Sequence, residues 1–301
     1  MAGRGWHNRP VTSTADWIAG SRPRTLPAAV SPVLAGTGVA VWAGGFVWWK
    51  ALLALLVSLA LQIAVNYAND YSDGIRGTDD DRVGPMRLVG SGAASAAAVK
   101  RAAFVSFGVA ALAGLVLAVT TSWWLVAVGV ACILAGWFYT GGSKPYGYLG
   151  LGEVMVFVFF GLVAVVGTTY VQTGSFEWPA LYAGVGTGAL ACAILVVNNL
   201  RDIPTDTVSG KRTLAVLLGD ARTRALYVLL VLAAAAAVVA VAAATDWWVL
   251  VGLVFAVVMV APTRIVTGGA RGPALVPVIQ QTGIGQLLWA AAVTVALVLT
   301  R

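Results

Sequence analysis

The sequence predicts an all-α polytopic membrane protein, with about nine transmembrane helices around a central cavity that opens to the cytoplasmic face. Three observations carry this. The 301 residues are 59% apolar and only 10% charged, and their mean hydropathy is +0.87, a composition that excludes an ordinary soluble domain. Nine stretches approach the roughly 20 mostly apolar residues that a spanning helix needs. The cationic residues segregate to one side of the alternating topology those stretches define.

The stretches are 26–44, 51–69, 102–120, 123–140, 152–171, 180–200, 225–244, 247–266 and 283–300. The first carries Pro27 and Pro32, which are expected to bend it. The third and fourth, and the seventh and eighth, are joined by very short links and so form antiparallel hairpins. The stretches are rich in Ala, Gly and Val, whose small side chains let membrane helices approach closely. Trp48, Trp49, Trp123, Trp124, Trp247 and Trp248 lie near stretch ends, as in an aromatic interface belt. Cys132 and Cys192 fall inside apolar stretches and are expected to be packed, unbridged thiols.

A cytoplasmic N-terminus places 17 of the 19 Lys and Arg on the cytoplasmic side, leaving only Lys50 and Arg301 opposite. The protein is therefore expected to be multi-pass in the cell inner membrane, with its N-terminus and its long loops in the cytoplasm. Those loops are 70–101, 140–150 and 201–224. Residues 1–20 lack the apolar core expected of a signal peptide; residues 1–24 are expected to form a cytoplasmic tail and residues 25–301 a single membrane domain. The net charge of +7 follows from this topology and from contact with anionic lipid, so no nucleic-acid partner is implied. His7, the only histidine, lies in the tail, so any metal must be held by oxygen. An oligomer is compatible with the sequence.

The chemistry concentrates in two acidic stretches. One runs Asn66-Tyr-Ala-Asn69-Asp70-Tyr-Ser-Asp73 and continues to Asp79-Asp80-Asp81-Arg82; the other runs Asn198-Asn199-Leu-Arg201-Asp202-Ile-Pro-Thr-Asp206 and continues to Lys211-Arg212. Seven of the 12 Asp and Glu lie in these two stretches. On a helix, residues i and i+4 share a face, so Asn69 with Asp73, and Asn198 with Asp202 and Asp206, make two polar stripes. Carboxylates at a membrane are costly and tend to be functional. Magnesium takes hard oxygen ligands and commonly bridges carboxylates to a phosphate. Two stripes facing each other across a cavity are thus suited to hold Mg2+ around a diphosphate, with Arg82, Arg87, Lys144, Arg201, Lys211 and Arg212 completing the neutralisation. A diphosphate so held becomes a good leaving group, and departure from an allylic carbon is prenyl transfer.

These motifs resemble the UbiA-type intramembrane prenyltransferase superfamily, which carries Asn-x-x-x-Asp-x-x-x-Asp motifs on cytoplasmic loops between nine helices. The second motif matches in full as Asn198, Asp202 and Asp206. The first matches as Asn69 and Asp73 and departs at Gly77, so Asp79 or Asp81 must supply the later carboxylate. The strings from Asn69 to Asp79 and from Asp81 to Pro85 resemble the 1,4-dihydroxy-2-naphthoate polyprenyltransferase branch. So do Arg22-Pro-Arg-Thr-Leu-Pro27, Tyr139-Thr-Gly-Gly-Ser-Lys144, Leu151-Gly-Glu153, and Gly210-Lys-Arg-Thr-Leu214. The resemblance implies magnesium held by Asp70, Asp73, Asp79, Asp202 and Asp206. It implies a polyprenyl diphosphate whose oxygens meet Lys144, Arg201 and Lys211, with Asn66, Asn69, Asn198 and Arg82 beside it. It implies 1,4-dihydroxy-2-naphthoate as acceptor, approached by Arg22, Tyr139, Tyr146 or Glu153, and a prenylated, decarboxylated product, demethylmenaquinone.

Three other readings compete. A related transferase acting on 4-hydroxybenzoate, homogentisate or a phosphoribosyl acceptor would share the magnesium site. An ion-coupled transporter also uses intramembrane Asp and Asn, but seldom pairs them with Lys- and Arg-rich loops on one face. A CDP-alcohol phosphotransferase requires an Asp-Gly-x-x-Ala-Arg signature that Asp73-Gly-Ile-Arg does not satisfy.

Overall fold

The computed structural model describes residues 12–77 and 86–301, and among these it contains helices and no strand. In chain order the α-helices are α1 (Thr14–Gly20), α2 (Pro27–Trp42), α3 (Trp48–Arg76), α4 (Ala96–Thr121), α5 (Trp124–Phe138), α6 (Gly152–Val156), α7 (Ala164–Thr173), α8 (Trp178–Val208), α9 (Leu214–Ala244), α10 (Phe255–Thr267) and α11 (Val276–Leu299). A π-helical segment, Phe157–Val163, joins α6 to α7, and a 3-10 segment, Trp247–Val254, leads into α10.

Seven helical segments are long and apolar enough to cross a membrane, and an eighth arises if α2 is counted with the preceding Thr14–Thr25, to which it is bent by 53°. The chain is therefore an integral membrane protein. Each of the nine apolar stretches coincides with a helix, but α3 and α8 run further than the apolar pattern. Asp70–Arg76 and Arg201–Val208, expected in loops, are the last turns of α3 and α8. Helix needs only satisfied backbone bonds, and polar side chains continue it wherever protein or water surrounds them. The bend near the N-terminus falls at Leu26, ahead of Pro27 at the first helical position, while Pro32 lies inside α2.

Helix ends follow local chemistry. Ser13 and Asp16 form a reciprocal capping box at α1, and Ser95 and Thr213 accept from Ala98 N and Val216 N at α4 and α9. Helix α3 stops at Gly77, whose φ of 67° is the left-handed cap that glycine adopts without strain. The superfamily's third motif position falls on this residue, so here a side chain gives way to a chain exit.

The apolar interior has separate parts. A large one gathers α2, α8, α9, α10 and α11 around Trp289, Tyr227 and Phe255. A second joins α3 to α4 around Tyr67, Leu88 and Phe107. Helix α8 is central: 72% of its apolar window is buried within the protein, against 28–50% for the other long spans. The π segment packs on it through glycine. A Cβ on Gly161 would lie 2.6 Å from both Gly184 O and Gly188 Cα, so backbone meets backbone there. Such wide turns commonly sit beside functional sites. The exposed Trp48, Trp123, Trp124, Trp178, Trp247 and Trp248 ring one end of the bundle, and the acidic ends of α3 and α8 lie at the other.

Candidate active site

A cavity of about 600 Å³ opens among α2, α3, α4, α5, the π segment and α8. Most of its wall is apolar, with Val33, Leu61, Leu117, Ile133, Phe159 and Phe160 among the lining side chains. Its polar end brings together residues from four regions of sequence: Asn69 and Asp73 from α3, Asn198 and Asp206 from α8, Arg87 from the segment before α4, and Lys211 from the turn before α9. The two acidic stripes thus share one chamber.

Asp73 is the centre of that end. It is 3% exposed. Lys211 Nζ stands 3.4 Å from its Oδ1 and Arg87 Nη2 stands 3.5 Å from its Oδ2. The Tyr148 hydroxyl donates to Oδ1. The Lys211 ammonium also sits 4.8 Å above the Tyr148 ring, a cation–π contact that holds the buried charge in place. Thr140 Oγ1 donates to Asn69 Oδ1 at 2.7 Å. Arg76 donates to the carbonyls of Thr140 and Gly142, and Arg212 N donates to Tyr148 O at 3.1 Å. The 140–150 and 210–213 turns are thereby tied to each other and to α3.

The other sequence-predicted residues fall into distinct places. Asn66 lines the cavity one turn below Asp70 and donates to Ser21 O at 2.8 Å and to Thr25 Oγ1 at 3.2 Å. Arg22 lines it from the bend between α1 and α2, with φ at 54°. That backbone conformation is costly for a residue with a side chain and is commonly kept at functional sites. Tyr139 and Tyr146 form an edge-on pair in the wall, centroids 5.5 Å apart. The Tyr146 hydroxyl donates to Ala135 O at 2.7 Å, and burial raises its pKa, so it stays a neutral donor.

The remaining predicted residues among those described stand outside the cavity lining. Arg201 and Asp202 do not line the cavity: Arg201 grips both Asp202 oxygens at 2.6 and 2.7 Å and also donates to Asn198 Oδ1 at 2.9 Å. Arg201 therefore orients the α8 stripe from behind. Glu153 also sits behind the wall, accepting from the Nδ2 of cavity-lining Asn199 at 2.9 Å. Lys144 is exposed on its turn, away from the cavity lining. Asp70 faces the backbone of residues 88 and 89 rather than the cavity. Asp79, Asp80, Asp81 and Arg82 lie outside the described residues, and among the described residues no group of three carboxylates is close enough to hold an ion. Tyr148 and Thr140 escaped the sequence reading because their roles depend on a turn folding back over α3, which no spacing encodes. Cys132 and Cys192 are unbridged, as expected.

The donor set fits magnesium in kind. Asp73 and Asp206 offer hard oxygen at one end of the chamber, Asn69 and Asn198 add amide oxygen, and Lys211 and Arg87 supply the compensating charge for a polyanion.

Comparison with known proteins identifies the family. Residues 29–269 match the UbiA prenyltransferase family. The chain is 57% identical to the 1,4-dihydroxy-2-naphthoate octaprenyltransferase of Mycobacterium tuberculosis, covering 95% of this chain and 98% of that one. It is 34% identical to the Escherichia coli protein of the same name, covering 92% and 93%. Among solved structures, a UbiA homolog from Aeropyrum pernix superposes with a TM-score of 0.72 at 16% identity, covering 89% of this chain and 97% of that one. A homolog from Archaeoglobus fulgidus, solved bound to GPP and Mg2+, superposes at 0.67 and 15% identity, covering 94% and 99%. The structural likeness is one of fold. The family match and the full-length identity to its members lead to one conclusion: this chain belongs to the UbiA prenyltransferase family.

Proposed function

We propose that this protein transfers a polyprenyl group from polyprenyl diphosphate to 1,4-dihydroxy-2-naphthoate, with decarboxylation, in menaquinone biosynthesis. The observation that carries the proposal is one cavity with an anion-handling end, built on Asp73, Asp206, Arg87 and Lys211, and a long apolar remainder. A lipid diphosphate has that same division. The full-length identity to naphthoate octaprenyltransferases supports the acceptor.

In this reading the chain crosses the membrane nine times. Seven long helices, α2 from the bent pair and the short apolar α5 supply the count. Residues 1–24 form a cytoplasmic tail and residues 25–301 the catalytic domain. The cation distribution supports a cytoplasmic polar end. Magnesium held by Asp73 and Asp206, with Asn69 and Asn198 beside it, would neutralise the departing diphosphate.

The chain's own residues do the rest. Lys211 and Arg87 bind diphosphate oxygens, releasing their grip on Asp73 as the second anion arrives. The Arg201 fork keeps Asp202 and Asn198 oriented. As the allylic C–O bond breaks, its electron pair leaves with the diphosphate. The apolar wall of Phe159, Phe160 and Ile133 keeps water from the allyl cation. The ring carbon bearing the carboxylate attacks and forms the new C–C bond. Carbon dioxide then leaves, returning its bonding electrons to the ring and giving demethylmenaquinol, the reduced form of demethylmenaquinone. Arg22, Tyr139 and Asn199 line the cavity where this acceptor would sit.

The test is turnover by purified protein with magnesium, a long prenyl diphosphate and either 1,4-dihydroxy-2-naphthoate or 4-hydroxybenzoate, with products read by mass. Prenylated, decarboxylated naphthoquinol is expected, and chelation should stop the reaction reversibly. Product from 4-hydroxybenzoate alone would refute the acceptor and keep the prenyl transfer. We further predict that Lys211→Ala raises the KM for prenyl diphosphate about tenfold or more, as for a lost hydrogen bond to a charged group. The KM for naphthoate should barely move. A rise confined to naphthoate would remove Lys211 from the diphosphate.

A further inference from the structure

Asp70 differs from the other acidic residues of its stretch. It is 1% exposed and does not line the cavity. Each of its carboxylate oxygens accepts a distant backbone amide: Leu88 N–H at 2.7 Å and Val89 N–H at 3.0 Å. Two charge-assisted bonds to one carboxylate hold a peptide segment firmly. Apolar contacts reinforce them. Leu88 is fully buried, and a Cβ on Gly20 would lie 2.6 Å from its Cδ1. A Cβ on Gly74 would lie 2.5 Å from Val89 Cγ1. Both side chains thus fill slots left by glycines. The segment also closes on itself, with Ser91 N–H donating to Arg87 O at 3.0 Å and Ala94 N–H to Leu88 O at 2.9 Å. The residue immediately before these anchored amides is Arg87, whose guanidinium reaches the cavity and Asp73.

The geometry points to Asp70 as a positioning residue: by holding the Leu88 and Val89 amides it sets where the Arg87 guanidinium stands, and so governs diphosphate capture without itself holding an ion. The inference rests on the diphosphate reading of the polar end. It divides the labour of two neighbouring carboxylates, with Asp73 facing the substrate and Asp70 facing the chain.

The experiment uses the full chain in detergent. Asp70→Asn keeps the size but leaves one acceptor oxygen and turns an NH2 toward an amide donor. Hydrogen exchange at Leu88 and Val89 should quicken about tenfold or more in D70N, as their bonds to a charged acceptor are lost. Titration with a prenyl diphosphate and magnesium should show D70N and Arg87→Ala each weakening binding about tenfold. The double variant should bind within about threefold of R87A alone, because both changes remove the same contact. The magnesium half-saturation of D70N should stay within about twofold of wild type, whereas D73N should shift it. Unchanged exchange at residues 88 and 89 overturns the inference, and so does a double variant whose losses multiply. A magnesium shift in D70N matching that of D73N would make Asp70 an ion ligand instead. Quickened exchange in D70N with no diphosphate binding even by wild type would overturn the diphosphate reading, and the role assigned to Arg87 with it. Should D70N fail to fold, Asp70→Glu, which keeps the charge and displaces the anchored amides by one methylene, should weaken prenyl diphosphate binding with the magnesium half-saturation unmoved, and wild-type diphosphate binding in D70E overturns the inference.

Discussion

Asp73→Ala is expected to lower kcat/KM by about 10³ or more, the scale set by losing a central electrostatic element of a transition state. The protein should still fold in the membrane. Asp73 joins the two acidic stripes to the cations: Lys211, Arg87 and the Tyr148 hydroxyl all converge on it. Its removal costs the site a hard oxygen and leaves two cations side by side with less compensation. Asp73→Asn separates these effects, because it keeps an acceptor for Tyr148 while losing the charge. It should be nearly as inactive as the alanine variant, with a smaller change in thermal unfolding. Turnover and unfolding measured on the same preparations decide the matter; more than about a tenth of wild-type activity in either variant, against this scale, would remove Asp73 from the reaction.

The second large effect is on stability. Arg201 and Asp202 are 6% and 4% exposed and share a two-pronged contact. Removing one member of a buried ion pair typically costs about 3–5 kcal/mol, because the other charge stays behind without its partner. Arg201→Ala should therefore lower the unfolding temperature sharply and cut activity as well, since Asn198 loses its donor. Arg201→Lys should recover little, because an ammonium cannot reproduce the fork. The double variant Arg201→Ala with Asp202→Asn should regain part of the stability, since no buried charge is then stranded. Equal stability of Arg201→Ala and wild type would show that the pair is solvated and carries no such energy.

The carboxylates of the two acidic motifs face different partners. Motif residues at helical spacing share a face only in outline. In the described structure Asp73 and Asp206 reach the cavity, Asp202 turns to Arg201, and Asp70 turns to the backbone of the next segment. A motif therefore names a neighbourhood, and the packing around each carboxylate decides which way it faces.

The sequence by itself determined the class of molecule. Apolar runs of spanning length, set off by aromatic ends and one-sided cations, follow from the bilayer's demand that backbone bonds be satisfied within helices. Each such run became a helix. The two acidic stripes were legible for the same reason, since carboxylates are too costly near a membrane to occur there at random. Only the tertiary structure decided how far those helices continue, because the last turns of α3 and α8 are polar and carry no apolar period. It alone brought Arg87, Tyr148 and Lys211 onto Asp73, residues separated by up to 138 positions. Such pairings depend on how turns fold back over helix ends, and a contact made across that distance leaves no periodic trace in the chain.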